Sequence, residues 1–250
     1  MPALERGYLG IVDWGIGGLG LYQKLKERVD YPVMYFSDSG HTPYGKTQHT
    51  DLNARLQSIV DYLFENGAAY VAIACNAANA AYEDRDRVSG IITHGVNVLR
   101  KGRWGNVGLL AGRGTVNSRV YHKKLSPLTF KLHQRISQPL SAHVEAGRLS
   151  GEALHHDLET IMAPLNRCDA ILLACTHYPA IEGEIRRYVA ADCTILDPAE
   201  EMADWIIRSW KLEQSQSPDL WMTTGNEKQL VTNGKLAFNV DISDVQRVTL

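Results

Sequence analysis

Two cysteines, Cys75 and Cys175, stand at matching places in two similar stretches of the chain. Each ends an apolar run typical of a buried strand, VAIAC and ILLAC, and each precedes an amide- or hydroxyl-bearing residue, Asn76 or Thr176. A thiol between a strand and a helix meets the unpaired N–H groups of that helix, which favour the thiolate. Two thiols on opposite sides of one bound molecule can remove a proton from one face and return one to the other. The pair therefore indicates a racemase that works without a cofactor.

The other two cysteines, Cys168 and Cys193, lack such a setting and are interpreted as small buried apolar side chains. Four cysteines are too widely spaced for a disulfide framework, and the sequence has no CxxC pair or His/Cys cluster typical of a zinc site. The adjacent His155 and His156 lack ligand spacing and are assigned to a surface helix. We therefore predict reduced thiols and no metal site.

The elements that would position the two thiols follow from the apolar pattern. Short continuous apolar runs alternate with longer stretches of helical period, which is typical of parallel sheets with crossover helices, so we predict an α/β fold. Strands are predicted at Tyr8–Val12, Val33–Ser37, Ala69–Ala74, Asn106–Leu110, Phe130–Ile136 and Asp169–Ala174. Helices are predicted over Leu19–Val29, Leu52–Leu63 with Thr50 or Asp51 as the cap, Thr115–Leu125, Gly151–Leu165 and Ala199–Trp210, with a loop at Leu212–Asp219.

A second pair of similar segments supports two related halves. Ile11–Gly15 and Leu110–Gly114 each lead from a strand into a glycine turn and a helix, at nearly the same offset as the two cysteine segments. In open α/β sheets, ligands bind beyond the carboxyl ends of the strands. We therefore expect each half to contribute one thiol to a shared cleft.

Composition and charge limit the class of partner. The 250 residues are 44% hydrophobic and 22% charged, with a net charge of -2, so the chain can bury a core but offers no broad basic surface for nucleic acid or anionic lipid. Its apolar runs are shorter than the roughly 20 residues of a membrane span. The first residues, Met1–Arg6, lack the pattern of a secretion signal. These features predict a cytoplasmic protein with a small-molecule substrate.

One pattern competes with the thiol chemistry. Gly15, Gly17 and Gly20 satisfy GxGxxG after a predicted strand, and Asp38 follows the next strand, as in a dinucleotide-binding site. Two thiols at paired strand ends have no role in hydride transfer, so we rank this alternative second. The sequence also has no Gly-x-Ser-x-Gly elbow, no Walker loop and no lysine singled out for pyridoxal phosphate.

Motifs along the whole chain resemble those of the glutamate racemases, within the aspartate/glutamate racemase superfamily. They comprise Asp13–Leu19 (DWGIGGL), Tyr35–Asp38 with Pro43–Gly45, Ala74–Asn76, Gly114–Val116 with Ser118 and Tyr121, Val144–Glu145, Cys175–Pro179 (CTHYP), Met222–Gly225 and Val245–Leu250. CTHYP is specific, and the other motifs are strong jointly because they occur in matching order.

The resemblance implies two pseudo-symmetric α/β domains with the active site between them, residues 1–97 plus 207–250 and residues 98–206. It also implies cofactor-independent racemisation, with Cys75 acting on the D-enantiomer and Cys175 on the L-enantiomer, assisted by Asp13 and His177. The implied substrate-binding residues are Trp14, Pro43, Tyr44, Gly45, Asn76, Ala77, Thr115, Glu145 and Thr176. A homodimer is a further expectation from the family.

Two departures from the family pattern bear on the substrate. Trp14 stands where the family usually has Ser, and Ala77 stands where it usually has Thr. Each lost hydroxyl removes a hydrogen bond worth about 0.5–1.5 kcal/mol, and an indole either reshapes the pocket or points into the helix packing.

The resemblance thus implies a glutamate-racemising enzyme that supplies D-glutamate for peptidoglycan. Two alternatives stay open. One is a racemase or lyase of the same superfamily acting on aspartate or another acid, and the other is a catalytically silent ligand-binding homologue.

Overall fold

The computed structural model describes residues 7–127 and 129–250 as two parallel β-sheets flanked by helices. The strands are β1 (Tyr8–Asp13), β2 (Val33–Ser37), β3 (Ala68–Ile73), β4 (Val88–Gly90), β5 (Asn106–Ala111), β6 (Lys131–Ile136), β7 (Ala170–Ala174), β8 (Thr194–Leu196), β9 (Leu220–Thr223) and β10 (Gln246–Arg247). The helices are α1 (Leu19–Lys26), α2 (His49–Glu65), α3 (Asn76–Ala81), α4 (Ile91–Lys101), α5 (Arg113–Ser118), α6 (Val120–Leu125), α7 (Gln138–Glu145), α8 (Glu152–Met162), α9 (Glu182–Arg186), α10 (Pro198–Ser209) and α11 (Glu227–Phe238). The expectation about Met1–Arg6 lies outside the described residues.

The two sheets repeat one strand order. The six-stranded sheet runs β10-β9-β2-β1-β3-β4, and the four-stranded sheet runs β6-β5-β7-β8. In both, the first strand of the half lies between its second and third strands, and all described pairings are parallel. The strands that precede the cysteines, β3 and β7, therefore occupy equivalent places, as the internal repeat predicts.

Burial explains why these segments form central strands. The side chains of β1 after Tyr8 are all buried, as are those of β2 and β7. Parallel strands covered by helices on both faces take such continuous apolar runs. The α/β prediction is confirmed, and the predicted strands agree with the observed ones to within one residue at each end.

The predicted helix over Thr115–Leu125 is interrupted. Arg119 adopts a left-handed conformation (φ 56), so that α5 ends before it and α6 begins after it. The pattern of apolar residues continues across this break, which is why periodicity alone did not reveal it.

The helices α4 and α10 connect the two sheets and pack against each other. The rings of His94 on α4 and Trp205 on α10 lie 5.2 Å apart, and Lys101 pairs with Glu201. Strands of the first sheet fall within residues 8–90 and 220–247, and those of the second within 106–196. We propose the domain boundaries at 97/98 and 206/207, inside these two helices. None of the helices in the described ranges is long and apolar enough to cross a membrane.

Candidate active site

Both cysteines lie on one cavity between the two sheets. Cys75 follows β3 and Cys175 follows β7, and each side chain is partly exposed in a cavity of about 590 Å³. Apart from Asp13, the residues that the sequence predicts for the site all line this cavity: Trp14, Pro43, Tyr44, Gly45, Cys75, Asn76, Ala77, Thr115, Glu145, Cys175, Thr176 and His177. The repeat thus brings the two thiols to a common space, as their positions after equivalent strands require.

Cys175 lies beside a histidine–carboxylate pair. Its Sγ is 3.6 Å from Nδ1 of His177, and Nε2 of His177 is 2.7 Å from Oε1 of Glu145. Burial lowers the pKa of His177, but the bonds to Cys175 and Glu145 outweigh it and hold that pKa well above its usual range. These contacts favour the protonated imidazole, whose Nδ1 lies within reach of the Cys175 sulfur.

The Cys75 thiol is in the opposite electrostatic situation. Burial raises its pKa well above the usual value, and the negative charge of Asp13 raises it further. Backbone N–H groups of Ala77 and Ala78, at the start of α3, lower the pKa of this thiol by less. The helix start does favour the thiolate, as the sequence suggests, but desolvation and a neighbouring carboxylate outweigh it.

The helix expected after Cys175 is also different from the prediction. A short 3₁₀ turn, Tyr178–Ile181, follows the CTH segment in place of an α-helix. The charged neighbour of this sulfur is instead the His177 imidazole. The two equivalent cysteines thus have different partners.

Asp13 lies behind the cavity and joins the two halves. It is fully buried, its Oδ2 accepts a bond from the Thr176 hydroxyl at 2.9 Å, and its Oδ1 accepts one from the Gly15 N–H at 3.2 Å. Burial raises the pKa of Asp13, and the nearby charge of His177 partly offsets that rise. The carboxyl is placed to act on Cys75 through charge.

The glycine turn after β1 is explained by close approach from the second half. A side chain at Gly15 would meet Glu145 Oε1 at 1.7 Å, and one at Gly17 would meet the Thr176 hydroxyl at 2.3 Å. The N–H of Ile16 donates to Glu145 Oε1 at 2.7 Å. These side chains fill the space that a pyrophosphate would need, so the glycines fit a packed interface better than a nucleotide site.

Asp38 is the acid of the alternative nucleotide-binding pattern, and its carboxylate is hydrogen-bonded to protein side chains. It is fully buried, and its carboxylate accepts bonds from Arg55 at 2.6 and 3.0 Å, from Tyr44 at 2.8 Å and from Thr224 at 2.9 Å. These contacts hold the segment around Tyr44 against the first sheet.

Two residues that line the cavity each carry a buried donor without a protein partner. Asn76 Nδ2 and the Thr115 hydroxyl are buried and make no hydrogen bond in the structure. The Tyr121 hydroxyl donates to Asn76 Oδ1 at 2.7 Å, which fixes the amide with its Nδ2 free. Buried donors are rarely left unpaired, so these two groups are candidates to bind a ligand.

Trp14 contributes its indole to the cavity wall. Its Nε1 donates to the backbone oxygen of His41 at 3.0 Å, and the side chain is partly buried. Ala77 also lines the cavity and adds a methyl group where a hydroxyl was expected from the family pattern. This part of the wall is therefore apolar.

Among the further lining residues, which were not predicted from the sequence, four have long polar or charged side chains: Lys46, Arg113, Gln138 and Gln229. Lys46 directly follows the quoted Pro43–Gly45 motif and Arg113 directly precedes Gly114, so adjacency to a motif was a usable signal for both. Gln138, at the start of α7, accepts from the Arg113 N–H at 3.2 Å, and only the fold reveals its position.

The two other cysteines and the adjacent histidines His155 and His156 lie away from the cavity lining. Cys168 and Cys193 are buried in the core. His155 bonds to the Tyr188 hydroxyl, and His156 is exposed on α8. Across residues 7–127 and 129–250, no group of His, Cys, Asp and Glu side chains is arranged to hold a metal ion.

Comparison with known proteins identifies the family. The sequence model of the Asp/Glu/Hydantoin racemase family matches residues 9–205 of this chain. Glutamate racemase of Pseudomonas aeruginosa is 31% identical over 214 residues, 80% of this chain and 80% of that protein.

The structure of glutamate racemase isoform RacE1 from Bacillus anthracis has a TM-score of 0.88 at 25% identity, covering 98% of each chain. Glutamate racemase from Francisella tularensis in complex with D-glutamate shares the fold, with a TM-score of 0.86 at 22% identity over 97% of each chain. With both cysteines inside the matched range, this chain belongs to the Asp/Glu/hydantoin racemase family.

Proposed function

We propose that this protein is an isomerase that interconverts L- and D-glutamate by proton transfer between the substrate α-carbon and two thiols. The observation that carries the proposal is the pair Cys75 and Cys175, which line one cavity from two halves with opposite electrostatic surroundings. The glutamate racemases among the relatives support glutamate as the substrate.

The mechanism uses the difference between the two thiols. For L-glutamate, Cys175, beside the charged His177, takes the α-proton, and the neutral Cys75 thiol delivers a proton to the opposite face. For D-glutamate the roles are reversed. Such two-base chemistry requires one sulfur to be charged and the other protonated at the start of each turnover.

The α-carboxylate is assigned to the two unpaired donors, Asn76 Nδ2 and the Thr115 hydroxyl. When the α-proton leaves, negative charge spreads into this carboxylate, and donors already in place stabilise it without reorganisation. Thr176, bonded to Asp13, lines the cavity directly after Cys175 in the chain.

The charged neighbours of the sulfurs have separate assisting roles. The Glu145–His177 pair serves Cys175, and Asp13 serves Cys75. Glu145 raises the pKa of His177 beside Cys175, and the charge of Asp13 raises the pKa of Cys75, so each carboxyl influences the surroundings of one sulfur.

The apolar wall formed by Trp14 and Ala77 favours one alternative substrate. An indole fills more space than the hydroxymethyl group of serine, so a shorter acid such as aspartate is the second candidate. Racemisation rates on the two acids separate these candidates.

We also propose the cellular setting. A glutamate racemase supplies D-glutamate for peptidoglycan in the bacterial cytoplasm, and a homodimer is the expected assembly.

The proposal is tested by incubating the purified protein with single enantiomers of glutamate and aspartate and following both enantiomers by chiral chromatography. We expect glutamate to racemise in both directions and faster than aspartate. Faster turnover of aspartate would transfer the assignment to the second candidate. Binding of glutamate in a calorimeter without turnover of either acid would indicate a silent homologue.

A further inference from the structure

Tyr121 is a buried tyrosine that belongs to one of the sequence motifs but has no part in the two-thiol mechanism. It lies on α6, which stands between β5 and β6 of the four-stranded sheet, and its side chain is fully buried. Burial raises the pKa of Tyr121, so its hydroxyl stays protonated. The residue therefore carries a hydrogen-bond donor inside the protein.

This hydroxyl forms a hydrogen bond across the two halves. It donates to Oδ1 of Asn76 at 2.7 Å. Asn76 begins α3, directly after Cys75 and close to the end of β3 in the six-stranded sheet. Asn76 is 2% exposed and lines the cavity. A residue of the second half thus contacts a cavity residue of the first.

Gly95 on α4 leaves the space that the tyrosine occupies. A side chain at this position would lie 2.6 Å from Oη of Tyr121 and 3.0 Å from its Cε1. Both separations are below the roughly 3.5 Å of an ordinary contact between heavy atoms. The end of the ring is therefore confined against α4, with its hydroxyl on the Asn76 amide.

The bond determines which end of the Asn76 amide is left over. An amide has an oxygen that accepts and a nitrogen that donates, and a half-turn exchanges the two. With Oδ1 bonded to Tyr121, the nitrogen Nδ2 is buried without a partner. A carboxylate only accepts, so a bound carboxylate pairs both buried donors in this orientation. In the rotated orientation the hydroxyl proton would lose its acceptor, and the carboxylate would meet the amide oxygen.

We propose that Tyr121 is a positioning residue, which holds the Asn76 amide so that its nitrogen is available to a carboxylate of the substrate. This rests on the proposed function, in which the α-carboxylate is assigned to Asn76 and Thr115. Because the bond joins α3 to α6, it also links the orientation of the amide to the contact between the halves. A substrate that needs this orientation therefore favours the closed cleft.

A double-mutant cycle tests the positioning role. Tyr121→Phe keeps the ring and removes the hydroxyl, Asn76→Ala removes the amide, and the double variant removes both. The measured quantities are the Kd of glutamate by calorimetry and kcat/KM for racemisation. In Tyr121→Phe we expect Kd to rise about fivefold and kcat/KM to fall about tenfold or more, because the donor also stabilises charge when the α-proton leaves. In the Asn76→Ala background, loss of the hydroxyl should change either value by less than about twofold.

A second variant displaces the hydroxyl without removing it. The Cβ of Gly95→Ala would overlap the position of the Tyr121 hydroxyl, while Tyr121 and Asn76 both stay in the chain. We expect Kd to rise by a factor similar to that in Tyr121→Phe. This variant decides the question if Tyr121→Phe does not fold, which the melting temperature of each variant shows.

The matched control is Tyr82→Phe. The Tyr82 hydroxyl also donates to an amide oxygen, Oε1 of Gln57 at 3.1 Å, and its ring is buried directly after α3. Neither Tyr82 nor Gln57 lines the cavity. The control therefore removes the same kind of bond beside the same helix and should leave Kd and kcat/KM unchanged.

The outcomes separate the positioning role from the proposed function. Unchanged values in Tyr121→Phe and Gly95→Ala, equal losses in Tyr82→Phe, or the same effect of Tyr121→Phe with and without the Asn76 amide would overturn the positioning role alone. Wild-type protein that binds glutamate without racemising it removes the proposed function, and the cycle in Kd then decides the positioning role. Wild-type protein that neither binds nor racemises glutamate removes both.

Discussion

Cys75 and Cys175 occupy equivalent positions after β3 and β7, yet their surroundings differ in charge. Burial and Asp13 raise the pKa of the Cys75 thiol, whereas the Cys175 sulfur lies beside His177, whose own pKa is raised by its bonds to Cys175 and Glu145. The repeat therefore supplies two thiols, and the residues around them supply the asymmetry that two-base proton transfer requires.

Removing either thiol should abolish racemisation in both directions. In Cys75→Ala and Cys175→Ala, one face of the substrate has no proton donor or acceptor, so we expect activity to fall by at least about 10³-fold. The measurement is chiral chromatography with each enantiomer as starting material. Cys168→Ala serves as the control, because this thiol is buried away from the cavity. Turnover close to wild type in either active-site variant would refute the assignment.

Glu145→Gln should change the pH dependence of catalysis. Glu145 is among the groups that raise the pKa of His177, so its neutral replacement should lower that pKa. Activity that needs the charged imidazole is lost as pH rises through the His177 pKa, and the alkaline limb of the kcat profile should therefore move to lower pH. Asp157→Asn, which alters the separate His143 pair, should leave the limb in place. An unmoved limb in Glu145→Gln would contradict the role of this pair.

At the scale of elements, strands were predicted well and short or irregular elements were not. The continuous apolar runs of β1, β2, β3 and β7 are strong signals because they are buried on both faces. The three-residue strand β4 is too short to show a period. The break between α5 and α6 depends on the backbone conformation of Arg119, which no apolar pattern encodes.

Site residues were predictable where a motif carried them. The cysteines, His177 and Glu145 lie within quoted motifs, and all of them line the cavity. Gln138, at the start of α7, is outside every quoted motif, so its place on the cavity wall depends on tertiary structure. The charge state of Cys75 also needed the fold, since burial and Asp13 outweigh the local helix start.

The contact between α4 and α10 should make stability depend on pH. His94 is buried against Trp205, and burial lowers its pKa to about 4. In the unfolded chain the pKa is about 6.5, so the unfolded state binds more protons between these values and stability falls as pH falls from about 6.5 towards about 4.

Replacing this histidine should flatten that dependence. From about pH 7 to about pH 5, the wild-type protein should lose about 2 kcal/mol of unfolding free energy more than His94→Gln loses. Urea denaturation at several pH values measures the difference. His156→Gln, at an exposed position, is the control. Equal slopes for wild type and His94→Gln would show that His94 is protonated at no cost in the folded protein.

At the scale of the whole molecule, the same side chains hold the halves together and form the site. Thr176 of the second half donates to Asp13 of the first, and Glu145 of the second accepts from the Ile16 N–H of the first. We therefore expect a change that weakens the contact between the two halves also to disturb the positions of the two thiols.

Thr176→Val tests this coupling. It removes a donor from a fully buried carboxylate, which should lower the unfolding free energy by about 1–3 kcal/mol. The lost bond should also raise the pKa of Asp13 further and reduce racemisation. Thr160→Val, which removes a hydroxyl bonded within exposed α8, should cost less than about 0.5 kcal/mol. Equal stability losses in the two variants would argue against the coupling.

The most direct test of the two-thiol mechanism is racemisation of one enantiomer of glutamate in deuterated water, followed by mass spectrometry of the separated enantiomers at early times. The account predicts deuterium at the α-carbon of the product enantiomer while the remaining substrate keeps its hydrogen, because the sulfur that donates is not the one that abstracts. Equal early deuterium in both enantiomers, or none in either, would contradict it.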